Sequence, residues 1–196
     1  MQDFHALAQP WWVTLLALIP FLVWTVWRRK GLVVSRRQLI LLAIFASAFG
    51  FVESAVVIYL RAATGLLPGY RGKLSDVRRS SAEAYKQEES INEFPESLLT
   101  IEVIREAATM VMLTTVALLA GTRLRERCAI FLWTFAVWDI SYYAGLWATV
   151  RWPSSLKDLD VLFLIPVPWI SQVWFPILIS VLTLVAVALA ARKKAV

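Results

Sequence analysis

Glu102, Arg105 and Glu106 fall at i, i+3 and i+4 within SLLTIEVIREAATM, Ser97 to Met110, so a helix there puts all three on one face. This stretch opens a long apolar run, and ionisable groups inside a membrane span are costly unless they are paired, neutralised or used. Glu53 and Asp139 stand in two further apolar runs. Arg61 follows eight residues after Glu53, and Tyr142 and Tyr143 follow three and four after Asp139. A sequestered carboxyl can take up or release a proton, and an arginine between carboxylates can hold an anionic or carbonyl oxygen. Glu106, Asp139 and Glu53 are therefore the acid/base candidates. Arg105, Glu102, Arg61, Tyr142, Tyr143, Trp138 and Trp147 are the candidate substrate-binding residues.

Four carboxyls (Glu53, Glu102, Glu106 and Asp139) face two arginines (Arg61 and Arg105). If all were ionised the cluster would be net negative in a medium that penalises charge by at least ~2.5–3.5 kcal/mol per unpaired group. A held proton, a bound cation or access to water must balance it. The competing reading is structural: Arg105 with Glu102, and Arg61 with Glu53, would only fix the bundle, and the tyrosines would only hydrogen-bond Asp139. At about 1.5 Å per residue, Glu53 and Glu106 each lie roughly 12 Å below the same end of their runs, and Asp139 lies nearer the midplane. Residues from three runs thus share one half of the membrane.

The elements that must position these groups are apolar helices. The 196 residues are 59% hydrophobic with a mean hydropathy of +0.65, as expected for an integral membrane protein. The expected fold is all-α, one membrane domain over residues 1–196 with five transmembrane helices, about 11–27, 39–60, 98–121, 128–150 and 169–191. An outer loop spans 62–97. The first span is short, with Pro20 as its expected kink. Residues 161–191 are too long for one span and hold Pro166, Pro168 and Pro176. The segment LFLIPVPW therefore reads as a short re-entrant or interfacial piece before a last span starting near Trp169. Ala43, Ser47, Gly50 and Ser54 form a small-residue seam on span 2 for close packing against a neighbour.

Basic residues set the orientation. Arg28, Arg29, Lys30, Arg36 and Arg37 follow span 1, Arg123, Arg125 and Arg127 lie between spans 3 and 4, and Arg192, Lys193 and Lys194 follow span 5. These eleven lie on one side. The other side has Arg151, Lys157 and five bases in the long loop, where six acids accompany them. The positive-inside rule then places the N-terminus outside and the C-terminus in the cytoplasm, in a plasma (inner) membrane. The first ten residues hold no Lys or Arg, so a cleaved signal peptide is not expected. From Leu74 to Ile91 the loop carries an approximate apolar stripe on a charged background. It reads as a solvated or interfacial helix, or as a lid over the outer mouth.

Several classes are excluded. One cysteine, Cys128, permits no internal disulfide, and one histidine, His5, excludes bis-histidine haem ligation within one chain and the common histidine-based zinc and di-iron sites. No metal site or cofactor is indicated, and the bases beside the apolar runs speak for topology rather than nucleic acid. No Gly-rich phosphate loop, H-E-x-x-H or G-x-S-x-G is present. The string W-D-x-x-Y-Y-x-x-L-W, Trp138 to Trp147, with I-P-V-P-W after it, loosely resembles small membrane enzymes that act on isoprenoids. The leading expectation is a protein that binds a lipophilic molecule, lipid or isoprenoid-like, or acts on it by proton transfer. The alternatives are a non-catalytic subunit of a larger membrane complex and a proton- or cation-coupled transporter. Expected partners are membrane lipid, a lipophilic small molecule, and a membrane-protein partner or a second copy of the chain.

Overall fold

The computed structural model describes residues 7–63 and 96–192. The chain starts with a two-residue strand, β1 (Ala8–Gln9), followed by a 3-10 helix (Trp11–Leu18) that passes into α1 (Ile19–Lys30). The change of pitch falls beside Pro20, which lacks the N–H an inner turn would need. Then come α2 (Arg36–Ala63), α3 (Glu96–Ala120), α4 (Leu124–Val150), β2 (Leu159–Phe163), β3 (Trp169–Gln172) and α5 (Trp174–Arg192). Among the described residues, five helical segments are long and apolar enough to cross a membrane. Most of the expected boundaries lie within a few residues of the observed ones. The outer loop and its apolar stripe lie, apart from its ends, outside the described residues.

Two expectations are corrected. The fold is mostly helical but not all-α, because β1, β3 and β2 form a three-stranded antiparallel sheet in that order. The piece read as re-entrant or interfacial is the hairpin β2–β3, with Asp160 opposite Ser171 and Val161 opposite Ile170. Pro166 and Pro168 sit in its connection, since proline cannot donate to a ladder. The last helix begins at Trp174 rather than Trp169, and Pro176 falls in its first turn, where a missing N–H is tolerated. β1 adds to the hairpin through Ala8 opposite Ser171, so the N-terminal strand borders the same sheet.

α4 is the central helix and packs against α2, α3 and α5, while α1 packs on α5. The α2–α4 contact is the most extensive. A Cβ on Gly50 would meet the Trp138 carbonyl oxygen at 2.6 Å and the Ser141 Cβ at 2.8 Å, and one on Gly145 would meet the Ser54 hydroxyl. Gly50 and Ser54 of the small-residue seam thus face α4, as close backbone approach requires, whereas Ser47 is exposed. Trp27, Leu32, Leu39, Ile130 and Val187 form a buried cluster at the end that carries the basic turns. Val57, Tyr143, Leu146, Trp152 and Val173 form another toward the hairpin.

The backbones of α2 and α3 barely approach. Polar side chains join them: Gln38 donates to the Ala120 carbonyl at 2.6 Å near one end, and an ion pair joins them farther along. The turn before α4 is fixed by Glu126, which accepts from the Thr122 hydroxyl at 2.6 Å and the Arg123 N–H at 3.2 Å. The outward faces stay apolar and exposed, among them Phe21, Ile40, Ile44, Phe51, Ile104, Val111, Leu119 and Val185.

Candidate functional site

The gap between α2 and α3 opens into a cavity of about 140 Å³ roofed by the hairpin. Leu16, Val57, Leu99, Phe135, Phe163, Phe175 and Ile179 give it a mainly apolar wall. Glu53, Glu102, Arg105, Glu106, Trp138, Asp139, Tyr142 and Tyr143 all line it. Eight of the ten candidates from the sequence therefore meet in one space. Trp147 does not: it is exposed and carries the Arg151 guanidinium 4.6 Å above its ring. The Arg61 side chain lies outside the described residues.

The charged groups divide into two sets. In the first, Arg105 donates to Glu102 through Nε (3.1 Å to each oxygen) and Nη2 (2.8 Å), one turn away on the same helix. Its Nη1 forms an ion pair with Glu53 of α2. The Thr109 hydroxyl supports this pair at 3.4 Å from Glu53. Glu53 thus pairs with Arg105, and of the two glutamates within reach on α3 it is Glu102 that holds the guanidinium. A guanidinium held from both sides acts first as a cross-brace between helices.

The second set is free of that brace. Glu106 accepts the Leu164 backbone N–H on both carboxylate oxygens, at 3.0 Å each, which ties α3 to the hairpin connection. Asp139 accepts from the Ser180 hydroxyl at 2.8 Å, which ties α4 to α5. Each of these carboxyls is thus aligned by a neutral donor at the cavity wall, an arrangement suited to exchanging a proton with a bound molecule.

Sequence reasoning missed several contributors. Asp160, 1% exposed, receives the Tyr143 hydroxyl at 2.6 Å. Tyr143 therefore serves Asp160 of β2 rather than its helix neighbour Asp139. Thr109, Ser180 and the Leu164 N–H also escaped notice. Thr109 carried a signal, being four residues after Arg105 on the same helical face; Asp160 carried none, lying just before the segment that read as re-entrant or interfacial. The indole N–H groups of Trp138 and Trp169 are buried without an acceptor among the described residues, so an acceptor atom entering the cavity would find donors there.

Among the described residues no group of three or more His, Cys, Asp or Glu is placed to hold a metal ion. Comparison with family models, curated proteins and solved structures gives no match.

Proposed function

We propose that this chain is an integral membrane protein that binds a lipophilic molecule, of lipid or isoprenoid type, in the cavity beneath the hairpin and acts on it by proton transfer. Glu106 and Asp139 are the acid/base pair, Tyr142 and Trp138 contact the ligand, and Arg105 with Glu53 and Glu102 braces the site. The supporting observation is that both carboxyls line a largely apolar cavity, held by Leu164 N–H and the Ser180 hydroxyl and not by the arginine. Exposed apolar side chains on all five helices support lipid around the bundle. The charge asymmetry of the loops supports an N-terminus outside, a cytoplasmic C-terminus and a site in the outer half of a plasma membrane.

The test compares lipid extracts of cells that make the wild-type chain, Glu106→Gln or Asp139→Asn at matched levels of folded protein. A lipophilic species should accumulate in both variants as another is depleted. Indistinguishable extracts would remove the proton-transfer reading.

A further inference from the structure

The cavity wall carries rings in unbroken contact. Tyr142 and Trp138 lie 6.4 Å apart between centroids, Trp138 and Phe135 5.4 Å, Phe135 and Phe163 6.2 Å, and Phe163 and Trp169 5.3 Å. All five line the cavity, three from α4 and two from the hairpin. Aromatic faces are electron-rich and attract a positive centre, most strongly where water is scarce. The polar complement has the same preference. Glu106 and Asp139 line the space, no lysine does among the described residues, and Arg105 already faces two carboxylates. A phosphate or carboxylate head group would meet the carboxyls of Glu106 and Asp139 and the rings, which disfavour it, while the indole N–H groups of Trp138 and Trp169 are neutral donors that bring no positive charge to offset them.

We propose that the ligand of this cavity carries, or develops during reaction, a positive centre held against the ring wall. This rests on the cavity being a lipophilic-ligand site. Two sources share the chemistry. One is a permanent ammonium group on a lipophilic chain. The other is an alkene that takes a proton: the O–H bond of an acid breaks, the π pair forms a C–H bond, and the adjacent carbon is left positive. Loss of a proton from a neighbouring carbon to a carboxylate then restores a double bond one position along, with nothing oxidised or reduced.

The test uses the full chain in phosphatidylcholine nanodiscs. Binding of a long-chain alkyl trimethylammonium, the alcohol of the same chain and the corresponding alkyl sulfate is read by tryptophan fluorescence. The ammonium should bind at least about tenfold tighter than the alcohol, and the sulfate weakest. Phe135→Leu and Phe163→Leu, each checked for an unchanged melting profile, should each cut the ammonium preference about fivefold while sparing the alcohol. Equal binding of ammonium and alcohol overturns the positive-centre proposal but leaves the lipophilic cavity. Binding of none of the three overturns both. The sources are separated in D2O with a long isoprenoid alkene. Deuterium on carbon with the wild type, absent with Asp139→Asn, marks the transient cation, whereas ammonium preference without incorporation marks the permanent one.

Discussion

Arg105 of α3 forms an ion pair with Glu53 of α2 across a gap where the two helix backbones hardly meet. The pair is substantially sequestered, with the Arg105 side chain 24% and that of Glu53 10% exposed. Removing one partner leaves a poorly solvated charge, which costs more than removing the whole set. Arg105→Met should therefore destabilise the protein by about 3 kcal/mol, the low end for a buried pair. The triple change Arg105→Met, Glu53→Gln and Glu102→Gln should recover most of that loss. Thermal or denaturant unfolding in lipid measures both. A triple variant as damaged as the single one would show that the three residues do not act as one brace.

Gly50 faces the Trp138 carbonyl so closely that no side chain fits without moving α2 from α4. Gly50→Val should cost about 1–3 kcal/mol by overpacking. It should also displace Glu53, one turn along, from its pair with Arg105. Ala43→Val, at the far end of the same seam, is the comparison. Equal stability of Gly50→Val and wild type would refute the close α2–α4 contact.

Tyr143 and Asp160, 4% and 1% exposed, join α4 to the hairpin by a 2.6 Å hydrogen bond. Tyr143→Phe removes the donor and should cost about 1–3 kcal/mol. In a double-mutant cycle with Asp160→Ala, which removes the acceptor, the losses should fall short of additive, because both changes break one bond. Strict additivity would mean that the two groups act independently.

The helices were legible because a run of apolar residues long enough to cross hydrocarbon has few other uses. The cluster was legible for a related reason: Glu53, Glu102, Arg105, Glu106 and Asp139 stand out against apolar surroundings and share a depth fixed by helical rise. The pairing within it was not legible. Which glutamate holds Arg105 depends on how α2 and α3 are rotated, so a Glu53–Arg61 pair looked as plausible as the observed Glu53–Arg105. The hairpin was hidden by composition, since LFLIPVPW is as apolar as a membrane segment. Only the pairing of Trp169–Gln172 with Leu159–Phe163 on one side, and with Ala8–Gln9 from the other end of the chain on the other, shows it to be a sheet.

Orientation is tested with Cys128 replaced and single cysteines introduced. A cysteine at Glu89 should react with an impermeant thiol reagent added outside intact cells, and one at Gly31 should not. The reverse pattern would invert the orientation and move the site to the cytoplasmic half.

The most direct measurement is native mass spectrometry of the gently extracted protein, wild type against Val57→Trp, which fills the cavity beside Glu53. The wild type should retain one lipophilic molecule per chain. The variant, with helical content and folding unchanged, should lose it. Retention in both, or in neither, would contradict a ligand site beneath the hairpin and favour a bundle whose charges serve only its own assembly.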